Sequence, residues 1–206
     1  MSTLKIAHTG DLHIGRDAER INEFNHIFEK FTESLRNFKP DVVVFAGDVF
    51  HHSVATSSTI EMLKRLIDNI LKLSAKIIII SGNHDLDHPG ATSIIDPIIK
   101  SMYSGNSAVQ YLDESRVYDL FGVYWHVFTA EGKPNITQES ILAADTKPSI
   151  ALIHDNIKGA RHYSGVNQRD GISLADLSEY SAVMLGHIHK HQYLTPRVAY
   201  CGSLIQ

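Results

Sequence analysis

The sequence predicts an α/β protein whose strands pair in parallel. Through the first 80 residues, short apolar runs alternate with segments whose apolar residues recur at steps of three and four. The first pattern is typical of strands and the second of amphipathic helices. The strand-like runs are apolar at nearly every position, as in parallel sheets that are buried on both faces. We therefore expect right-handed crossovers and helices on both faces of the sheet.

The limits of the elements in the first half follow from this spacing. Apolar residues between Ile21 and Phe38 repeat with helical periodicity, and Pro40 ends that helix because its ring excludes a further turn. Ile60 to Ile70 repeat in the same way. The predicted order is a strand at 4–7, a helix at 21–38, a strand at 41–46, a helix at 60–70 and a strand at 76–81.

The second half is less regular and combines short strands with short helices. Phe121-Gly122 suits the turn of an antiparallel hairpin, and Ser173 is a typical cap for a helix that extends to about Glu179. No repeat or linker divides the chain, so we expect a single domain over residues 1–206. The predicted order is a helix at 92–102, strands at 109–112, 116–120 and 123–128, a loop at 132–135, a helix at 138–144, a strand at 149–153, the helix after 173 and a strand at 182–185.

Composition favours a soluble globular chain in a reducing compartment. Of the 206 residues, 43% are hydrophobic and 20% are charged, and no apolar run reaches the length that spans a bilayer. Cys201 is the only cysteine, so an intramolecular disulfide is impossible. We see no basic and apolar leader, which argues against secretion. The cytoplasm, or the nucleus in a eukaryote, is the expected location.

Charge and histidine content point in different directions. The 19 basic and 23 acidic residues give a formal charge of −4, which provides no broad positive surface for nucleic acid but does not exclude nucleic acid as a partner. The chain has 13 histidines, an unusually high share, and many of them lie close to Asp, Asn or Gly. Histidine clusters of this kind favour a role in metal binding or catalysis.

Five predicted strands end in polar sequences. Open α/β sheets bind ligands outside the carboxyl ends of their strands, so these sequences are expected to converge. The glycines at 10, 47, 82 and 186 suit sharp turns where a side chain would crowd a ligand. The polar sequences are HTGDLH, GDVFHH and GNHD after the first three strands, HDN after Ile153 and GHIHKH after Leu185.

Side chains of these five sequences could hold two metal ions. They offer carboxylate, amide and imidazole donors in a number too large for one ion. Asp48 is the natural bridging carboxylate, and two ions about 3.5–4 Å apart would activate a hydroxide and polarise a phosphoryl oxygen. Phosphoester hydrolysis is the expected reaction. The predicted ligands are Asp11, His13, Asp48, Asn83, His154, His187 and His189.

Each cluster taken alone has a simpler explanation. A histidine that follows a strand is usually a hydrogen-bonded structural residue. Five such clusters at five strand ends are much harder to explain in this way. A non-catalytic protein on the same scaffold is a further alternative, but such a protein would typically lack some of the ligands that are all present here.

The five sequences GDLHIG, GDVFH, GNHD, the isolated His154 and GHIH resemble the signatures of calcineurin-like metallophosphoesterases over residues 5 to about 203. The resemblance implies a four-layer α/β/β/α sandwich with two mixed sheets flanked by helices. It implies that His84 is the acid that assists the leaving oxygen and that Asp85 orients His84. Asp11, His13, Asp48 and His189 would hold one ion, and Asp48, Asn83, His154 and His187 the other.

Within that family the chain is most similar to the SbcD-type nucleases of double-strand-break repair. It lacks the arginine and glutamate of protein phosphatases, and His51 stands where purple acid phosphatases have a tyrosine ligand. The resemblance implies an exo- or endonuclease that uses Mn²⁺, in which His51 helps to place the scissile phosphodiester. It also implies DNA, an SMC-like ATPase of the SbcC type and a second copy of the chain as partners.

Two features leave the substrate open. Nucleases of this type usually continue past GSLIQ into capping and ATPase-binding regions, so we expect either a truncated catalytic core or a minimal phosphodiesterase or phosphatase for small nucleotide-like substrates. The segment 156–171 carries Lys158, Arg161 and Arg169, which could follow a phosphate backbone. A solvated loop is an equally good interpretation of that segment.

Overall fold

The computed structural model describes residues 3–88, 91–129 and 147–205. Three α-helices are described there: α1 (Ile21–Phe38), α2 (Ser57–Leu71) and α3 (Ile95–Tyr103). The strands are β1 (Ile6–Thr9), β2 (Val42–Ala46), β3 (Lys76–Ile80), β4 (Val109–Tyr111), β5 (Val117–Leu120), β6 (Val123–Phe128), β7 (Ser149–His154), β8 (Ala182–Gly186), β9 (Gln192–Thr195) and β10 (Val198–Tyr200).

The strands form two sheets. The first has the order β1-β2-β3-β4, and all three of its ladders are parallel. The second has the order β5-β6-β7-β8-β10-β9 and is mixed, because β5 and β9 pair antiparallel at its two edges. The predicted parallel pairing is therefore correct for β1 to β3, and the mixed character belongs to the second sheet.

Three apolar layers hold the sheets and helices together. One face of the first sheet packs on α1, α2 and α3. Its other face, with Val44 and Ile78, packs on Trp125 and Leu152 of the second sheet. The outer face of the second sheet carries its own cluster around Tyr180 and Tyr200. The α/β class with two stacked sheets is as predicted.

Our expectation of helices on both faces of the first sheet was wrong. The continuously apolar strands β2 and β3 are buried on both faces, but the second face meets a sheet. Burial alone cannot distinguish these two coverings. In the described residues, the outer face of the second sheet is covered by loops and the 3-10 segment Leu174–Leu177.

Local sequence accounts for most helix limits. Lys39 adopts a left-handed conformation and donates its backbone N–H to Leu35, which ends α1 before Pro40. Thr56 and Thr59 form a reciprocal capping box that starts α2 earlier than its apolar spacing predicts. Ser173 caps the 3-10 segment Leu174–Leu177, which is shorter than the helix predicted to extend to about Glu179.

Other predicted elements differ from the structure or lie outside its described part. Strand β9 was not predicted, and α3 begins at Ile95 instead of residue 92. The loop predicted at 132–135 and the helix predicted at 138–144 lie outside the described residues. No helix in the described part of the chain is long and apolar enough to cross a membrane.

Candidate metal centre

The polar ends of β1, β2, β3, β7 and β8 meet at one edge, where the two sheets face each other. Two hydrogen bonds across the sheets define this meeting point. The backbone N–H of His187 donates to Asp11 Oδ1 over 3.0 Å, and His154 Nδ1 donates to the carbonyl of Ala46 over 2.7 Å. Residues that are 176 and 108 positions apart in sequence are thereby in contact.

A first group of donors comes from β1 and β8. His13 Nε2 lies 2.9 Å from His189 Nε2, and His189 Nε2 lies 3.9 Å from Asp11 Oδ1. One ligand atom from each of the three residues lies within 4.8 Å of the other two. Asp11 and His13 are buried, whereas His189 is partly exposed.

A second group comes from β2, β3, β7 and β8. His154 Nε2 lies 3.3 Å from Asp48 Oδ2 and 3.2 Å from Asn83 Oδ1. The same Asn83 oxygen lies 2.9 Å from His187 Nδ1. Three of these residues, Asp48, His154 and His187, have ligand atoms within 4.8 Å of one another.

Asp48 lies between the two groups. Its Oδ2 is 3.3 Å from His154 Nε2 in the second group and 3.7 Å from His13 Nε2 in the first. Its other oxygen, Oδ1, accepts the backbone N–H of His84 at 2.8 Å. The carboxylate is therefore fixed in orientation with one oxygen directed toward both groups.

Four of the predicted ligands have a left-handed backbone. Asp11, His13 and Asp48 have φ values of 50°, 48° and 49°, and His187 has φ of 94°. Residues other than glycine adopt this region rarely and at a cost, and such residues cluster at functional sites. The turns that follow β1, β2 and β8 thus strain the residues that carry the donors.

The glycines beside these turns serve mainly to let the chains approach closely. A Cβ at Gly82 would lie 2.2 Å from Asp48 Oδ1, and one at Gly186 would lie 1.9 Å from the carbonyl oxygen of Ala46. Of the four glycines singled out in the sequence, only Gly47 has a positive φ. The space at these glycines is taken by the protein's own atoms, and the unusual backbone belongs largely to the acidic and histidine residues.

Burial and mutual attraction shift the pKa values in the centre. Burial raises the pKa of Asp11 to about 6 against the opposing effect of His154. Burial also opposes ionisation of Asp48, but the attraction of His154 outweighs it and holds the pKa of Asp48 below its usual range. The same attraction raises the pKa of His154 to about 9, although burial alone would lower it. Burial lowers the pKa of His13 to about 3.

The ligand atoms of the two groups are better suited to binding cations than to hydrogen bonding among themselves. Asp48 Oδ2 and Asn83 Oδ1 can only accept hydrogen bonds, and both face His154 Nε2, which carries at most one proton. In the first group His13 Nε2 and His189 Nε2 face each other over 2.9 Å and can share one proton, while the Asp11 carboxylate beside them adds further lone pairs. Such an excess of lone pairs suits divalent metal ions, and imidazole and carboxylate donors are typical ligands of first-row transition metals.

His84 and His51 lie together beside the first group. The His84 ring stacks on His51 with centroids 5.1 Å apart, and His84 Nδ1 donates to the carbonyl of His51 at 2.9 Å. His51 Nδ1 lies 3.2 Å from His13 Nδ1. Both predicted catalytic histidines therefore adjoin a predicted ligand, and the Nε2 atom of His84 is left for other partners.

The predicted role of Asp85 as the carboxylate that orients His84 is wrong. Asp85 is fully buried, and its oxygens accept the backbone N–H groups of Gly82, Val49 and Phe50 at 2.9, 3.2 and 2.8 Å. It ties the turn after β3 to the turn after β2. The family resemblance implied contact with the His84 ring, but His84 Nδ1 donates to the carbonyl of His51 instead.

The predicted basic loop is held by internal hydrogen bonds, and its three cations are exposed on its surface. Backbone hydrogen bonds link Lys158 to Ile172 and Gly159 to Gln168. Arg161 is exposed and donates to Asn167 through Nε. Lys158 and Arg169 are also exposed. None of these three cations lines the cavity of about 360 Å³ beside His187 and His189.

A cavity of about 360 Å³ opens directly beside two predicted ligands. Lys190 lies next to His189 in sequence and was not predicted as a substrate contact. Arg16 was also missed, although its charge acts on both His51 and His189 and it directly follows the GDLHIG sequence. Proximity in sequence to a ligand was the available signal. The cavity is lined by His162, Tyr163, Ser164, His187, Ile188, His189 and Lys190.

Comparison with known proteins identifies relatives of this arrangement. The sequence profile of the family described as calcineurin-like phosphoesterase matches residues 4–191. The uncharacterized protein R555 of Acanthamoeba polyphaga mimivirus is 29% identical over 98% of this chain, which corresponds to 16% of R555. The SbcD polypeptide of the nuclease SbcCD from Staphylococcus saprophyticus is 37% identical over 86 residues, 40% of this chain and 23% of that polypeptide.

The chain thus spans less than a quarter of the length of these two curated relatives. Among solved structures, TT1561 of Thermus thermophilus superimposes with a TM-score of 0.61 at 14% identity, over 98% of this chain and 91% of TT1561. This likeness concerns the fold. It confirms the predicted arrangement of two sheets flanked by helices, and the profile match confirms the predicted family resemblance.

Proposed function

The chain belongs to the calcineurin-like phosphoesterase family, and on that premise we propose that it is a metal-dependent hydrolase of DNA phosphodiesters. The observation that carries the proposal is the position of Asp48, whose Oδ2 lies 3.7 Å from His13 Nε2 and 3.3 Å from His154 Nε2. One carboxylate oxygen directed at two groups of donors is what a pair of neighbouring cations requires.

The proposed ligands divide between two ions, for which we propose Mn²⁺. When bound, the ions would activate water as the nucleophile and neutralise charge that develops on the phosphoryl oxygens. One ion would be held by Asp11, His13, Asp48 and His189, and the other by Asp48, Asn83, His154 and His187.

His84 is the proposed acid. Its Nδ1 donates to the carbonyl of His51, so the ring is held in one orientation, and the doubly protonated ring would carry its second proton on Nε2 toward the leaving oxygen. The backbone N–H of the same residue fixes Asp48. His51, which stacks on His84, is proposed to help place the scissile phosphate.

The choice of DNA rests on several observations. The partial relative from Staphylococcus saprophyticus is a subunit of a nuclease. Arg16 and Lys190 supply positive charge near the donors, where a phosphate backbone would pass. We further propose that residues 1–206 act as one catalytic domain, and that an SMC-like ATPase of the SbcC type and a second copy of the chain are partners.

A metal-dependent cleavage assay tests this function. Metal-free protein should be inactive, and added Mn²⁺ should produce cleavage of blunt and recessed duplex ends. His84→Ala serves as the control for contaminating nucleases, because a trace contaminant would be unaffected by that change. Cleavage that persists in the variant, or no cleavage of any duplex with Mn²⁺ present, would contradict the proposal.

A second candidate function is hydrolysis of a small nucleotide-like phosphodiester. The cavity of about 360 Å³ beside His187 and His189 favours it, since small-molecule sites commonly enclose about 300–1,000 Å³. Cyclic nucleotides and nucleotide sugars tested beside duplex DNA separate the two functions. Turnover of the small substrates alone would replace the nuclease by this alternative.

A further inference from the structure

We propose that His13, His51 and His84 form a second metal-binding group, here called the three-histidine group, which takes Zn²⁺ in competition with the ion at Asp11, His13 and His189. The binding claim stands apart from the proposed function. Only its consequence for turnover rests on that function.

Each of the three side chains brings a ring nitrogen to the same small region. One ring nitrogen from each lies within 4.8 Å of the other two. His13 Nδ1 and His51 Nδ1 are 3.2 Å apart. Two nitrogens bound to one tetrahedral zinc at roughly 2.0–2.1 Å are separated by about 3.3 Å, so these two already have almost the separation of co-ligands.

The protons of the three rings can be placed to allow this. Because His84 Nδ1 donates to the His51 carbonyl, His84 Nε2 keeps its lone pair. His13 can carry its proton on Nε2 and donate it to His189 Nε2, 2.9 Å away, which frees His13 Nδ1. His51 is partly exposed, and its Nε2 can carry the remaining proton. No ring has to be charged or doubly deprotonated.

Because both metal groups use His13, only one of the two can bind an ion through it at a time. A neutral imidazole has one nitrogen with a free lone pair. His13 faces His189 through Nε2 and His51 through Nδ1. It can therefore serve the first group or the three-histidine group, and a proton moves from one ring nitrogen to the other between these states.

Donor chemistry makes the choice depend on the metal. The three-histidine group has three imidazoles and no carboxylate, a set that suits zinc, copper and nickel. The first group includes the Asp11 carboxylate, which suits Mn²⁺ better. Zinc in the three-histidine group would also occupy His84 Nε2. The proposed acid would then be unable to protonate a leaving group, so zinc should inhibit turnover supported by manganese.

A matched pair of variants tests the binding claim. His51→Gln and His189→Gln each replace one imidazole that faces His13, on opposite sides of its ring. Zn²⁺ affinity is measured by competition with a chromophoric chelator in protein kept in excess Mn²⁺, and Mn²⁺ affinity by electron paramagnetic resonance. His51→Gln should weaken Zn²⁺ binding at least about tenfold and leave Mn²⁺ binding unchanged, whereas His189→Gln should weaken Mn²⁺ binding.

His84→Gln provides a second variant and should reproduce the zinc-specific loss. Circular dichroism confirms that each variant is folded. Equal zinc affinity in wild type and His51→Gln would overturn the proposal, and so would equal zinc losses in His51→Gln and His189→Gln, because zinc would then use the first group. Unchanged Mn²⁺ binding in His189→Gln would instead count against the proposed function, whatever the zinc result.

Discussion

The hydroxyl of Ser203 donates a hydrogen bond to the backbone carbonyl of Asp11 over 2.6 Å. The backbone N–H of the same serine donates to the carbonyl of His189 over 2.9 Å. Ser203 therefore joins the turn after β1 to the turn after β8. These turns carry Asp11 and His189, two members of the first group. These contacts hold the backbone of Asp11 and of His189, which are both proposed ligands of the first group.

We predict that Ser203→Ala weakens one of two metal-binding steps. The variant keeps the bond to His189 but loses the bond to Asp11, so the first group loses alignment. Affinity at that step should fall about tenfold, as is typical when a residue that supports a ligand is removed. Calorimetric titration with Mn²⁺ resolves the two steps. Ser203→Thr keeps the hydroxyl and should bind Mn²⁺ at both steps as the wild type does.

Ser34→Ala is the control for this prediction, because its hydroxyl donates to the Lys30 carbonyl on the exposed surface of α1. Equal weakening of both steps in Ser203→Ala would indicate general destabilisation and not support of one group.

Asp48→Asn should weaken both steps together. The amide can still accept the backbone N–H of His84, so the loop is retained, but the negative charge between the two groups is lost. Without it, repulsion between two divalent ions is poorly balanced, and we expect a loss of at least about a hundredfold at each step. Mn²⁺ titration followed by electron paramagnetic resonance measures this loss.

Asp41→Asn, at an exposed aspartate that accepts the Lys5 backbone N–H, is the matched control and should bind both ions normally. A variant at Asp48 that lost only one ion would show that this carboxylate does not bridge.

His84→Ala should separate metal binding from turnover. The side chain is no proposed ligand of the two ions, so Mn²⁺ affinity should be nearly unchanged. Loss of a general acid should lower turnover by about 10²–10⁴-fold. Steady-state cleavage assays at saturating Mn²⁺ provide the measurement. His26→Ala, at an exposed histidine of α1, should retain full activity. Wild-type turnover in His84→Ala would remove this residue from the mechanism.

Much of this arrangement could be predicted from sequence because the chemistry is local. Asp11, Asp48 and Asn83 each follow a strand directly, and parallel strands place such residues at one edge. The contacts of Asp85 could not be predicted, because its three backbone partners depend on how two turns fold against each other.

The covering of the first sheet illustrates the same limit. Val44 and Ile78 are apolar whether their face meets a helix or a sheet, so the sequence pattern is identical in both cases. The second sheet was placed correctly only through the family resemblance. The support that Ser203 gives to Asp11 joins positions 192 residues apart and leaves no sequence pattern.

Gly186→Ala should disrupt the meeting of the two sheets. The added Cβ would lie 1.9 Å from the Ala46 carbonyl oxygen and 2.7 Å from His154 Nδ1, so one sheet must move. Overpacking of this kind costs about 1–3 kcal/mol or more, and the shift should also weaken metal binding at both groups. Urea unfolding and Mn²⁺ titration measure the two effects.

Gly122→Ala is the control for this prediction. It has no atom within 4 Å of the added carbon, and its positive φ costs only the strain of a left-handed residue, about 1–2 kcal/mol. It should leave metal binding intact. Normal metal binding in a folded Gly186→Ala protein would show that close approach of the sheets is not required.

Acid should destabilise the metal-free protein in part through His8. Burial lowers the pKa of His8 to about 3, with a smaller contribution from His191. Below the ordinary value of 6.5, the unfolded chain binds a proton at this position while the native protein does not. The free energy of unfolding is therefore unaffected by His8 above about pH 6.5 and falls by about 1.4 kcal/mol per pH unit as the pH decreases toward 3.

His8→Asn removes this titration while retaining a donor near the Leu185 carbonyl. That carbonyl also accepts the backbone N–H of Cys201, so it is not left without a partner. Urea unfolding of metal-free protein from pH 7 to pH 4 should show a shallower loss of stability in the variant. Since other buried histidines titrate equally in both proteins, the difference between the two curves isolates His8, and parallel curves would show that His8 takes up its proton in the native state.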